Sequence, residues 1–412
     1  MADVMKKETL ENKIRFLYKY REGSHTSFSI ALEAGANNEN EEEIGYAHAL
    51  EHMIFKGTST LNEDEINRKL DELFGMNNAM TNFSYVIYYG TLYNDDFNEG
   101  FSLYSQMLTN EKISHYGFCE ELNVIKQESV EWKEDLEQLS EDLMLYNGFR
   151  DERISKIIIG NRDDIEKITV DNLKEFYDKF YKGENIVVSV VTSLEYDYVK
   201  SIIEKNLLSI NSSLDINIKN DRFNGERTIN SGIFKNVAKG NNGCKISYGF
   251  DISALNLREV TALKLFNLWF GEGVSSILYD NIRTKMGLAY EVYSSVKWEK
   301  GIEIFKIALS TDKDSYKKAL NIVDNCIEKG KKLDEILNDY ELKKLIKRFK
   351  LKMSLELEKS IVLANRMAIY EILYNDGNMV FNELNMIYNY TVEEIKEVVN
   401  KVLKNPVVEV LL

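Results

Sequence analysis

Residues 169–191 read TVDNLKEFYDKFYKGENIVVSVV, and residues 391–412 read TVEEIKEVVNKVLKNPVVEVLL. Each stretch begins with a threonine suited to capping a helix, continues as an amphipathic helix with a Lys-Glu pair, and ends in a valine-rich strand. The second stretch begins 222 positions after the first. Such a repeat predicts two similar halves, each of which closes with the same helix–strand unit.

The first half alternates between the two kinds of secondary structure. Period-2 patterns predict strands over residues 27–35 (SFSIALEAG) and 84–93 (SYVIYYGTLY). Helical periodicity predicts helices over residues 47–57, 62–75 (ending at Gly75), 96–110 and about 120–145. The alternation predicts an α+β fold built in layers.

The chain is long enough for two domains. Residues 209–231 lose periodicity and gather Asn, Ser, Asp and Gly, which is typical of a connection between domains. We therefore predict an N-terminal domain over residues 1–208, a linker over 209–231 and a C-terminal domain over 232–412.

The composition of the chain indicates which partners and which cellular compartment to expect. The formal net charge of -15 argues against nucleic acid as a partner. The sequence has neither an apolar run of membrane-spanning length nor a signal-peptide core, so we expect a cytoplasmic protein without a membrane partner. Three isolated cysteines without CxxC spacing fit a reducing compartment.

The motif that carries chemistry is His48-Ala49-Leu50-Glu51-His52. Histidines four positions apart project from one face of a helix, about one turn from each other, where two imidazoles can bind one metal ion. Glu51 lies three positions after His48 and reaches the same face, where it could accept a proton from an activated water. This arrangement is HxxEH, a signature of zinc peptidases.

Catalytic zinc needs a third protein ligand and leaves one position open for water. The predicted helix around residues 120–145 offers several carboxylates, and Glu121 and Glu128 lie two turns apart on one side of it. Composition alone does not choose between these two glutamates.

The sequence resembles the M16 family of inverted-motif zinc peptidases, the mitochondrial-processing-peptidase and insulysin group, along nearly the whole chain. The similarity is carried by residues 32–58 (LEAGANNENEEEIGYAHALEHMIFKGT), by NNAMT at 77–81, by the glutamate 76 positions after the second histidine, and by RTKMGLAYEVYSS at 283–295. The resemblance implies that each domain is a mostly antiparallel sheet covered by helices. It also makes Glu128 the third zinc ligand and Glu121 a supporting residue.

The resemblance further implies how peptides are bound and cleaved. Asn78 and Ala79 would begin an edge strand that pairs with an extended peptide. From the second domain, Arg283 and Tyr290 would stabilise the oxyanion. Two repeated domains per chain, against four in the family's closed chamber, imply a homodimer or a heterodimer with a paralogous subunit. We expect one zinc ion per chain, because the second half has no HxxEH.

Some positions depart from the family pattern. Ser84 stands where a glutamate often follows the Asn-Ala-x-Thr segment, and Glu152-Arg153 stands where many members have His-Pro. Neither belongs to the expected metal set, so they bear on substrate preference. The sequence thus predicts a zinc endopeptidase for short or unfolded peptides. The alternative from a different class is a non-catalytic or partner-dependent subunit of a heterodimer.

Overall fold

The structure is a computed structural model that describes residues 5–109, 113, 115–150, 152–212, 227 and 229–412. Most of the predicted linker, residues 213–226 and 228, lies outside the described residues. The described residues form two compact units. The first lies within Met1–Ser129, Ile157–Asn220 and Ser354–Asn382, and the second within Val130–Lys156, Asp221–Met353 and Glu383–Leu412.

The first unit is built on a six-stranded sheet with the order β1-β2-β6-β3-β5-β4. Its strands are β1 (Lys6–Thr9), β2 (Arg15–Tyr20), β3 (His25–Leu32), β4 (Phe74–Thr81), β5 (Val86–Tyr93) and β6 (Ile186–Thr192). Only the β2–β6 pair is parallel, and the other four pairs are antiparallel. All seven residues of β6 are buried, which its run of valines and isoleucine explains.

The second unit is built on a five-stranded sheet with the order β7-β11-β8-β10-β9. Its strands are β7 (Gly232–Asn236), β8 (Cys244–Asp251), β9 (Val292–Glu299), β10 (Ile302–Thr311) and β11 (Val407–Leu411). Here too one pair, β7–β11, is parallel, and the other pairs are antiparallel. The predicted α+β class with two mostly antiparallel sheets is therefore confirmed.

The two sheets share one topology. The order β2-β6-β3-β5-β4 matches β7-β11-β8-β10-β9 strand for strand, with the parallel pair in the same place. The strands β6 and β11 each follow a helix that is capped by a threonine, Thr169 in α7 (Val170–Phe180) and Thr391 in α14 (Val392–Val402). The repeat that the sequence predicted is thus a repeat of structure.

Helices cover the sheets. The first unit contains α1 (Tyr46–Ile54), α2 (Glu63–Leu73), α3 (Phe97–Leu108), α6 (Arg162–Ile165), α7, α8 (Tyr196–Leu207) and α12 (Ser360–Tyr374). The second contains α5 (Leu136–Gly148), α9 (Leu257–Phe270), α10 (Tyr316–Lys331) and α14. Three further helices, α4 (Phe118–Glu134), α11 (Asp339–Leu357) and α13 (Met379–Met386), run across a boundary between the units. Among the described residues, no helix has the length and apolarity needed to span a bilayer.

The units differ from the contiguous domains predicted from sequence. Helix α5, from the first half of the chain, packs on β8 and β11 of the second sheet, whereas α12, from the second half, packs on β3 and β6 of the first sheet. Each sheet therefore buries a helix from the other half of the sequence. A composition-based boundary at 209–231 cannot detect such an exchange, because it assumes that neighbours in sequence pack together.

Several helix boundaries were predicted wrongly, and the helix predicted over residues 47–57 ends at Ile54. The single helix expected over about 120–145 is two helices, because Asp135 adopts extended backbone and its side chain accepts hydrogen bonds from the amides of Glu137 and Gln138 at the start of α5. The helix expected to end at Gly75 ends at Leu73, since Phe74 begins β4 and its ring packs against Phe28 in the core.

Candidate metal centre

Helix α1 carries the HxxEH motif and is fixed in the core of the first unit. Its buried residues include Ala49 and Leu50, whose exposed fractions are 0%. The helix begins after Gly45, whose φ of 88° lies in the left-handed region that favours glycine. A Cβ atom at this position would lie 2.6 Å from the carbonyl oxygen of Ile159. The start of the helix therefore requires glycine for two reasons.

Gly45→Ala is expected to destabilise the protein by about 2–4 kcal/mol, from left-handed strain combined with a backbone clash. Gly240→Ala is the matched control, because Gly240 has a similar φ of 82° but no atom within 4 Å of the added Cβ. It should cost only about 1 kcal/mol. Urea unfolding of the three proteins measures the difference, and equal losses for the two variants would contradict the proposed clash.

Three side chains converge beside α1. The rings of His48 and His52 have centroids 4.5 Å apart. Glu128, from α4, places one carboxylate oxygen 3.7 Å from Nε2 of His48 and the other 3.6 Å from Nε2 of His52. One ligand atom from each of the three residues lies within 4.8 Å of the others. Within the described part of the chain, this is the one group of His, Cys, Asp or Glu side chains arranged to hold a metal ion.

These separations fit a zinc ion. They are too long for hydrogen bonds, and ligand atoms about 2 Å from a tetrahedral zinc lie roughly 3.3 Å apart. Burial, together with the neighbouring His52, lowers the pKa of His48 to about 3, which keeps its imidazole neutral and able to coordinate. Two nitrogen donors and one carboxylate form a ligand set that zinc prefers in hydrolases.

Glu121 lies behind the cluster and orients His52. Its Oε1 atom is 2.7 Å from Nδ1 of His52, which leaves Nε2 directed at Glu128. Its other oxygen forms an ion pair with Lys56, which also binds Glu63 at 2.7 Å. Burial would raise the pKa of Glu121, but the hydrogen bonds from His52 and Lys56 outweigh burial and lower it. The structure therefore separates the two candidate glutamates: Glu128 faces both Nε2 atoms and Glu121 binds the far side of one ring.

Glu51 lies next to the cluster without joining it. Thr81 donates a hydrogen bond to its Oε2 atom at 2.5 Å. Burial raises the pKa of Glu51, and its carboxylate interacts electrostatically with His52 and Glu128. A carboxylate with a raised pKa beside three candidate metal ligands is suited to act as a general base.

Sequence reasoning missed Lys56 and Thr81. Lys56 lies four positions after His52, so helical spacing predicts that it lies near the motif. From sequence alone, however, a lysine at this position is expected to be exposed to solvent. Thr81 closes the NNAMT segment, and no local pattern connects it with Glu51. Both residues enter the site through contacts between elements that are distant in sequence.

Asn78 and Ala79 lie on β4, at the edge of the first sheet. The strand begins at Phe74, four residues before the predicted start, and Asn78 and Ala79 are in its middle. They pair with Tyr89 and Tyr88 of β5 on one side. The other side of β4 has no partner strand among the described residues.

Arg283 and Tyr290 belong to the second unit. Arg283 lies in a π-helical turn, Tyr279–Thr284, a feature frequent at functional sites. Its guanidinium lies 4.8 Å from the ring of Tyr279 and 4.7 Å from that of Tyr290. Tyr290 is 82% exposed. The pair therefore contact each other and present a cation and a phenol to solvent.

Comparisons with known proteins identify the family of the chain. Residues 15–162 match the family model described as Insulinase (Peptidase family M16), and residues 167–349 match the one described as Peptidase M16 inactive domain. An uncharacterized zinc protease from Rickettsia felis is 28% identical over 291 residues, which span 70% of this chain and 68% of that protein.

Solved structures share the fold. A protease from Helicobacter pylori superposes with a TM-score of 0.87 at 21% identity, covering 99% of both chains. The periplasmic protease PqqL from Escherichia coli gives a TM-score of 0.79 at 16% identity, covering 100% of this chain and 46% of that chain. With the two family models in succession along the sequence, the chain belongs to peptidase family M16.

Proposed function

We propose that this protein is a zinc-dependent endopeptidase that hydrolyses short or unfolded peptides inside a closed chamber. The observation that carries the proposal is the cluster of His48, His52 and Glu128, with the carboxylate of Glu51 beside it. The zinc proteases among its relatives support the choice of metal. One zinc ion per chain is expected.

His48, His52 and Glu128 would hold the ion, and Glu121 and Lys56 would orient His52. When bound, zinc acts as a Lewis acid that activates water and polarises the substrate carbonyl. Glu51 takes a proton from the attacking water as the new carbon–oxygen bond forms. It then passes this proton to the leaving nitrogen as the carbon–nitrogen bond breaks, so that the carboxylate is regenerated.

The remaining candidate residues would bind the substrate. The open edge of β4, with Asn78 and Ala79, would form main-chain hydrogen bonds with an extended peptide. Arg283 and Tyr290 would donate hydrogen bonds to the negative oxygen that develops on the scissile carbonyl. These two residues then act in the transition state and leave the binding of the metal unaffected.

Arg283→Met is expected to lower kcat about 10²- to 10³-fold, the usual effect of removing one oxyanion donor. Zinc content should stay at the wild-type level. Lys285→Met is the matched control, because Lys285 is an exposed cation two residues away that pairs with Asp280 at 2.6 Å. Steady-state cleavage of a quenched peptide measures the effect, and equal rates for the two variants would argue against an oxyanion role.

The proposed assembly is a homodimer or a heterodimer with a paralogous M16 subunit, located in the cytoplasm. The family's four-domain chamber and the two domains of this chain support the dimer. Light scattering of the purified protein and fractionation of cells test these two points.

The decisive test of activity is cleavage of a mixed library of quenched peptides by zinc-loaded protein, with and without a chelator. Cleavage that the chelator abolishes and added zinc restores would support the proposal. The family model for residues 167–349 carries the word inactive, which favours one alternative, a subunit that needs a catalytic partner. Zinc-loaded protein that cleaves nothing alone but cleaves together with a co-purifying subunit would support that alternative.

A further inference from the structure

The edge strand β4 has an irregular register between Phe74 and Met76, but from Met76 onward it lacks the charged residues and prolines that often protect an exposed strand. Its eight residues, FGMNNAMT, include no charged residue and no proline. Proteins usually place such residues on edge strands, because an unprotected edge pairs with other chains. An open edge without charged residues or proline either binds a further strand or promotes aggregation.

The side chains of β4 alternate between two faces. Thr81 lies on the face that contacts Glu51. Met76, Asn78 and Met80 lie on the opposite face, because residues separated by two positions share a face. The two methionines are 46% and 40% exposed. The edge therefore presents two methionines with an asparagine between them.

One kind of occupant fits this edge. A strand added beside β4 would run past Thr81 and hence past Glu51 and the candidate zinc ligands, so the occupant is a peptide in position to be cut. Methionine is flexible and polarisable, and it is common on surfaces that accept many apolar partners. Cross-strand neighbours on one face pack against each other.

We infer that Met76 and Met80 form an adaptable surface that selects peptides with large apolar side chains at two positions four residues apart. This inference rests on the proposed peptidase function. Met76 and Met80 are four residues apart, or about 13 Å along a strand. The peptide position between the two selected ones faces Asn78 and therefore tolerates polar side chains.

The test is a peptide library in which two positions, i and i+4, carry either leucine or asparagine. Wild-type protein should favour leucine over asparagine at each position by roughly 10-fold in kcat/KM, the discrimination typical of an apolar contact. Met76→Ser should abolish the preference at one of the two positions, and Met80→Ser should abolish it at the other. Leu208→Ser is the control, since Leu208 is a 69% exposed apolar residue of the same unit.

A second assay distinguishes failure of this inference from failure of the proposed function. Binding of the same peptides to Glu51→Gln, measured by fluorescence anisotropy, should show the same two preferences without cleavage. If peptides bind with these preferences but wild type cleaves none of them, the proposed peptidase function fails, whereas the selection of bound peptides by Met76 and Met80 is supported. A variant with both Met76→Ser and Met80→Ser that shows the same leucine preferences as wild type, in both assays, would overturn the inference.

Discussion

Glu51→Gln is expected to cleave peptides about 10³- to 10⁴-fold more slowly than wild type, near the upper limit of the effect of a general base. The amide has nearly the same shape as the carboxylate, and its oxygen can still accept the hydrogen bond that Thr81 donates at 2.5 Å. It cannot, however, take a proton from water at neutral pH. Zinc content should therefore stay at one ion per chain while turnover is lost.

Glu120→Gln is the control for this variant, because Glu120 is an exposed glutamate in the first turn of α4. It should retain wild-type activity. Zinc measured by emission spectroscopy on the same samples separates chemistry from metal binding. A Glu51→Gln protein that binds zinc and still cleaves at more than about a tenth of the wild-type rate would exclude Glu51 as the base.

Glu128→Gln is expected to weaken zinc binding by more than about 100-fold, beyond the range observed for residues that only support a ligand. One of its oxygens lies 3.7 Å from Nε2 of His48 and the other lies 3.6 Å from Nε2 of His52, so the position of a bound ion would depend on this carboxylate. Glu121→Gln should weaken binding less, by about 10- to 100-fold, because Glu121 acts through Nδ1 of His52.

Competition with a chromogenic chelator measures the zinc affinities of wild type, Glu128→Gln, Glu121→Gln and Glu120→Gln. We expect Glu128→Gln to lose the most zinc affinity, Glu121→Gln to lose less, and Glu120→Gln to lose none. A larger loss for Glu121→Gln than for Glu128→Gln would mean that Glu121 is the direct ligand. This experiment decides the choice that helical spacing alone left open.

Some of the site could be predicted from the sequence because it is local. The spacing of His48 and His52 fixes their common face wherever the helix lies, and α1 confirms the predicted helix. The repeated helix and strand after Thr169 and Thr391 likewise depend on short-range capping and periodicity. These local signals do not depend on tertiary contacts, so the sequence alone reveals them.

Other features depend on contacts that no local pattern contains. Thr81 reaches Glu51 across 30 positions, and Lys56 meets Glu121 only after α4 has packed beside α1. The packing of α5 and α12 on the sheets of the opposite halves is similarly non-local. The break at Asp135 is different: its capping signal is present in the sequence, but continuous helical periodicity on both sides concealed it.

The most direct test of the metal centre is anomalous X-ray scattering at the zinc absorption edge from crystals of the zinc-loaded wild type. We expect one strong peak per chain, about 2.0–2.2 Å from Nε2 of His48, Nε2 of His52 and a carboxylate oxygen of Glu128. A peak at another place, or no peak in protein that cleaves peptides, would contradict the assignment of these three residues as the zinc ligands.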